Sequence, residues 1–230
     1  MAARSPRKSA APYLPSTGSL KALREASGRC RGCDLYERAT QTVFGEGSPR
    51  AKVVLVGEQP GDQEDLAGRP FVGPAGRVLS EALAAAGLSR EEIYVTNAVK
   101  HFKWTPRGKR RMHQRPQQGE VLACRPWLEA EVAAIQPRVI VCLGATAAQS
   151  FFGASFRITE ALGKALRDAR GRTIVVAYHP SAILRMQTDD ERSASRRSLV
   201  DSLALARDIA LGDDPARDEA SAAAPPSFAE

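Results

Sequence analysis

Four cysteines and three histidines in 230 residues are few enough to weigh one by one. Cys30-Arg-Gly-Cys33 is a knuckle of the kind that grips zinc or an iron–sulfur cluster, two thiolates close together on a short turn. Cys124, in the segment Cys-Arg-Pro-Trp, can supply a third ligand. Cys142 sits inside the apolar run VIVCLG and is expected to be buried and inert. A four-ligand site then lacks one member, for which His101 is the best remaining candidate. Spacing alone does not choose zinc from a cluster.

A second set of residues could act on a base and its sugar. Glu58, Gln59 and Asp62 belong to GEQPGDQEDLAGRPFVGPAG (57–76), whose glycines let backbone approach a ligand closely. No Gly-Lys-Ser/Thr follows, so this is not a phosphate-cradling P-loop. Its acids, Glu64 and Asp65 among them, can stabilise positive charge at a reacting carbon or can simply be solvated. Phe71 offers a ring to stack on a flat base, or a plug for the core. Asn97 sets a donor beside an acceptor, the pattern that reads a pyrimidine edge, although a lone Asn is more often a turn former. His179, before Pro180 and Ser181, can donate to a carbonyl oxygen as a base departs as an anion. Ala182, Ile183, Leu184 and Arg185 can wedge into nucleic acid and grip phosphate.

These residues need a frame, and the sequence draws one. The runs 52–58, 93–99, 138–144 and 173–179 are short, β-branched and apolar nearly throughout, as parallel strands buried on both faces are. Helical patterns separate them: one ending near Gly87, one from Pro116 to Ile135 with Val121, Leu122, Leu128 and Val132 at roughly helical spacing, one over Ala145–Phe152, and one over Arg192–Ala210. The alternation predicts a three-layer α/β/α fold with a central, mostly parallel four-stranded sheet. Ligands in such folds bind beyond the carboxyl ends of the strands. Glu58 to Asp62, Asn97, Gly144-Ala145-Thr146 and His179-Pro180-Ser181 all fall at that edge. The domain is expected over residues 19–211, between flexible tails at 1–18 and 212–230.

Charge points to the partner. Lys and Arg number 33 against 26 Asp and Glu, a net +7. Lys100, Lys103, Arg107, Lys109, Arg110, Arg111 and Arg115 form a block with no acid among them. Such a block is a footprint for a polyanion, or else a solvated loop. A hydrophobic share of 43% excludes wholesale disorder. No apolar run approaches the roughly 20 residues of a membrane span, and no secretory leader opens the chain. An intracellular, cytoplasmic protein acting as a monomer is expected, and disulfides are not.

Taken in order, Cys30-x-x-Cys33, the 57–76 segment, TNAVK (96–100), CRPWLEAE (124–131) and HPSAILR (179–185) resemble the iron–sulfur uracil-DNA glycosylases of the family-4 and family-5 kind, from about Cys30 to Ala210. Two departures matter. Lys100 is followed by His101 where family-4 enzymes carry a cysteine. An added basic loop, Gly108-Lys109-Arg110-Arg111-Met112-His113, resembles that of the X-type enzymes, with Met112 where those carry Ile. The resemblance implies a [4Fe–4S] cluster on Cys30, Cys33, His101 and Cys124, and uracil-containing DNA, preferably single-stranded, as substrate. It implies His113 as a nucleophile that stays bonded to the sugar, with Glu58 orienting it or facing the sugar cation and Gln59 positioning. Asp62, Phe71, Asn97, Gln59 and His179 are then the uracil contacts, and Lys109, Arg110, Arg111, Ser181 and Arg185 the DNA contacts. Arg110 and Arg111 would also help keep His113 neutral. The competing readings are an ordinary hydrolytic glycosylase, a non-catalytic binder of uracil-containing DNA, and a zinc-bearing nucleic-acid binder.

Overall fold

The computed structural model describes residues 8–213. Residues 1–7 and 214–230, parts of the two expected tails, lie outside the described residues. Within the rest of the N-terminal stretch, Ala10 is buried and its N–H donates to the carbonyl of Ala123 at 2.7 Å.

The four apolar runs form strands β2 (Val53–Gly57), β3 (Tyr94–Asn97), β6 (Val139–Leu143) and β8 (Thr173–Ala177). They pair in parallel, with Gly57 opposite Asn97, Val56 opposite Cys142 and Leu143 opposite Ala177. Two antiparallel edge strands, β1 (Glu46–Gly47) and β7 (Ala165–Arg167), complete the order β1-β3-β2-β6-β8-β7. The sheet therefore has six strands and not four. The two extra strands are two and three residues long and carry no β-branched residue, so nothing in the hydrophobic pattern marks them. A separate hairpin joins β4 (Trp104–Arg107) to β5 (Arg110–His113).

Every residue of β2, β6 and β8 is buried, and alternate residues serve opposite layers. Leu55, Val141 and Val175 pack on helices α3 (Pro74–Ala85) and α7 (Asp189–Leu211). Val54, Ile140 and Ile174 pack on α4 (Gln118–Ile135) and α5 (Ala145–Phe152). A third apolar cluster joins α1 (Leu20–Ser27) to the start of α4, and it contains Cys30, Cys33, Cys124 and Trp127. Leu122, one of the apolar residues in the α4 pattern, is 52% exposed. Successive residues on a helix lie about 100° apart, and Val121, Cys124, Leu128 and Val132 take the buried face. Among the described residues no helix is long and apolar enough to cross a membrane.

One charged pair is sealed between β3 and α4. Lys100 and Glu131 are 1% and 0% exposed and form an ion pair. Glu131 also accepts from the Tyr94 hydroxyl, the Thr96 hydroxyl and the N–H of Gly45, while Lys100 donates to the Asn97 carbonyl at 2.8 Å.

Candidate active site

The carboxyl ends of the parallel strands open on a cavity of about 370 Å³. Its walls include Gln59, Asp62, Phe71, Asn97, His113, His179 and Arg185. Asn97 ends β3, and its Oδ1 is buried without a hydrogen-bond partner. A buried acceptor left open in this way is rare in folded proteins, and it sits in a cavity wall. Gly57 makes the approach possible: a Cβ there would come within 2.3 Å of Asn97 Oδ1 and 2.6 Å of the Phe71 ring.

Phe71 lies between the two expectations for it. It is 7% exposed and packs in the core, yet its ring also lines the cavity, tilted 32° and 6.0 Å from that of His179. Its φ of 55° is left-handed, a conformation that costs an L-residue roughly 1–2 kcal/mol. Gly76 accommodates that turn, since a Cβ there would strike the Phe71 carbonyl at 1.9 Å.

His179 caps the one-turn helix α6 (Pro180–Ile183). Its Nδ1 accepts from the backbone N–H of Ser181 at 3.1 Å. An amide can only donate, so Nδ1 carries no proton and the neutral ring must hold its hydrogen on Nε2. Burial, with Arg185 and His113 nearby, pushes the pKa of His179 down to about 4. It is thus a fixed neutral donor. Ile183, expected among the wedge residues, is fully buried in the core, while Leu184 is 43% exposed at the cavity rim.

The basic segment is the β4–β5 hairpin, not a loop. Gly108 and Lys109 make its tip, Gly108 with φ of 59°. Alternation along β5 turns Arg111 and His113 to one side. Arg111 does not face outward for phosphate. It binds Asp62 Oδ1 at 2.5 Å and Asp65 Oδ2 at 2.6 Å, and its guanidinium lies over the rings of Phe102 and Trp104. Lys109 and Arg110 are exposed and have no acidic partner among the described residues. Gln59 fastens the base of the hairpin: its amide donates to the carbonyls of Lys103 and Gln114 and accepts from the N–H of Lys103. The loop acids are likewise occupied. Glu64 accepts from the N–H groups of Gly61 and Gly73, and Asp65 from that of Thr40.

His113 is thereby held at the cavity mouth, its Nε2 3.6 Å from Glu58 Oε1. Partial burial lowers its pKa from the ordinary value; Glu58 opposes this and Arg185 adds to it. The neighbour that favours the neutral ring is Arg185, not Arg110 or Arg111 as expected. Glu58 is itself held by the Thr146 hydroxyl, with Arg115 Nε 3.8 Å away. Sequence reasoning placed Thr146 at the strand edge and Arg115 in the basic block, but linked neither to Glu58.

Cys30, Cys33 and Cys124 are all buried and unbonded to one another. Burial pushes the Cys124 thiol up to about 12, with Lys100 opposing. Cys142 is inside β6, its thiol also pushed up by burial. His101 is buried with Nε2 2.9 Å from Thr42 Oγ1. Among the described residues, no three His, Cys, Asp or Glu side chains converge as the ligands of one ion would.

Residues 44–204 match the family described as the uracil DNA glycosylase superfamily. A type-4 uracil-DNA glycosylase of Thermotoga maritima is 39% identical over 165 residues, covering 71% of this chain and 82% of that protein. One from Archaeoglobus fulgidus is 43% identical over 162 residues, covering 67% and 78%. A type-5 uracil-DNA glycosylase of Pyrobaculum aerophilum is 31% identical over 157 residues, covering 60% and 64%. With the fold, the open Asn97 acceptor and the neutral His179 donor, these likenesses agree: the chain belongs to the uracil-DNA glycosylase superfamily and stands with its type-4 members.

Proposed function

We propose that this protein is a DNA-repair glycosylase that excises uracil from single-stranded DNA and then remains bonded to the sugar through His113, as in the X-type enzymes. The open Oδ1 of Asn97 carries the first part. Uracil has an N3–H to give it, a ring face to lay on Phe71, and an O2 to receive the Nε2–H of His179. Extruding a base is least costly from single strands. Lys109, Arg110, Ser181 and Arg185 would hold the backbone, and Leu184 would fill the vacated stack.

In the reacting step the C1′–N1 bond breaks and its electron pair leaves with uracil. The anion is stabilised at O2 by His179 and later takes a proton from solvent. The sugar gains oxocarbenium character, next to the Glu58 carboxylate. An imidazole nitrogen of His113 gives its lone pair to C1′, and the ring proton is lost to Glu58 or water. The support for His113 as nucleophile is its fixed place at the mouth. The likeness to type-4 relatives favours a second reading, in which water takes the place of imidazole and the enzyme turns over.

Two outcomes follow. Asn97→Ala should lower the single-turnover rate of excision about 10–100-fold, the scale of one buried hydrogen bond to substrate, as measured by the rate at which the SDS-stable shifted band appears. Capture is expected to fall in acid solution with a midpoint below the ordinary histidine value of about 6.5. Protonation removes the attacking lone pair, and the pKa of His113 lies below its ordinary value. A capture midpoint above about 6.5 would contradict this.

We also propose that Cys30, Cys33, Cys124 and His101 hold a [4Fe–4S] cluster. The donor set suits one, because each ligand of a cluster binds a different iron and the ligands need not converge on one point. Trp127 Nε1, buried beside these cysteines without a partner, is a donor that cluster sulfur would satisfy. Such a group would act as a staple between the N-terminal segment and α4. Zinc is the alternative, and absorbance near roughly 400 nm separates the two.

The test of the main reading is a denaturing gel with end-labelled single-stranded DNA carrying one uracil. A shifted band that survives boiling in SDS is expected. Alkali-labile DNA without a shift would leave the hydrolytic enzyme, and intact DNA would leave only a binding protein.

A further inference from the structure

A second recess, of about 480 Å³, opens beside the first cavity. Both lie within the roughly 300–1,000 Å³ typical of ligand pockets. They share Gln59, His113, His179, Ser181 and Arg185 as a common wall. The far side of the recess is of different character. Ile158, Leu162 and Tyr178 present half-buried apolar surface, Thr146 and Thr159 add hydroxyls, and Arg115, its side chain 61% exposed, stands at the rim.

The shape of a nucleic-acid strand decides what can sit there. With uracil in the first cavity, its sugar lies against the shared wall, where His113 is. The phosphate linking that sugar to the next nucleotide must leave from the same place, and Arg185 and Arg115 bracket the way into the recess. A phosphate alone would need only the cations. The apolar floor and the volume ask for something flat and larger. We propose that the recess receives the nucleotide adjoining the target in the same strand, its base lying on Ile158, Leu162 and Tyr178. This rests on the glycosylase reading for the occupant of the first cavity. It also gives a reason for single-strand preference: a neighbouring base held in a recess is unstacked and unpaired, and a duplex would have to lose a second base pair.

The test uses the full chain and short single-stranded thymidine oligonucleotides with a central 2′-fluoro-deoxyuridine, which resists cleavage. One oligonucleotide keeps both neighbouring bases; two others carry a base-free spacer on the 5′ or the 3′ side. Binding is read by fluorescence anisotropy. A spacer on one side should weaken binding about tenfold, the scale of one stacked base, and a spacer on the other side should not. Thr159→Trp, which fills the recess from its exposed rim, should weaken the intact oligonucleotide equally and erase the difference between sides. Ile158→Ala should remove part of it. Equal affinities for all three oligonucleotides, equal losses on both sides, or a side-specific loss that survives Thr159→Trp would each overturn the proposal. Excision of ordinary deoxyuridine is measured in parallel. Side-specific binding without excision would sink the glycosylase reading and leave the subsite standing.

Discussion

On the proposed capture mechanism, His113→Ser should remove the SDS-stable protein–DNA complex altogether while leaving uracil recognition in place. The two proposed functions should separate because different elements would carry them. Asn97, Phe71 and His179 belong to the main sheet and its loops, whereas His113 lies on the hairpin. Serine has no nitrogen to bond to C1′, and its smaller side chain opens room for water beside Glu58. The variant should therefore yield alkali-labile abasic sites, with turnover, where the parent yields a captured strand. The readout is the ratio of shifted to alkali-cleaved product on one denaturing gel. An undiminished shifted band would assign the bond to another residue. Loss of both products would make His113 essential to base release itself.

The second large effect is on stability. Lys100→Met should cost about 3–5 kcal/mol, the usual loss when one member of a buried ion pair is removed. Glu131 is fully buried, so its carboxylate would stand without a counter-charge. The Asn97 carbonyl would lose a donor as well. The double variant Lys100→Met/Glu131→Leu should recover part of the loss by removing both charges. It cannot recover all, because Tyr94, Thr96 and the Gly45 N–H would then lose their common acceptor. Urea midpoints for the three proteins check both statements. A single variant as stable as the parent would mean that water or another cation reaches the Glu131 carboxylate.

Much of the frame was legible in the residues. The four parallel strands appear where continuous β-branched runs were read, and α5 spans the residues expected of it. Burial on both faces leaves a plain hydrophobic signature, and the strand ends then locate the cavity. The hairpin was not legible. Trp-Thr-Pro-Arg and Arg-Arg-Met-His have neither the alternation nor the composition of strands, because neither strand joins the core and there is no apolar face to encode. The exact work of the charged residues was equally hidden. Sequence puts Arg111 in a basic block and Asp62 and Asp65 in an acidic loop, but their pairing spans 46 to 49 positions. Only the folded chain brings them together.

The hairpin is closed on itself. The N–H of Gln114 donates to the carbonyl of Lys103 at its base, Gln59 bridges the same two strands, and no strand of the main sheet pairs with it. Its ties to the rest of the protein are side-chain contacts, Arg111 to Asp62 and Asp65, Lys103 to Glu120 and Trp104 Nε1 to the Arg38 carbonyl. A short turn could replace the span between Lys103 and Gln114 without shifting the register of any core strand. If His113 captures the sugar as proposed, grafting this ribbon together with the two acids that moor it should exchange the fate of the DNA, released or retained, between related scaffolds.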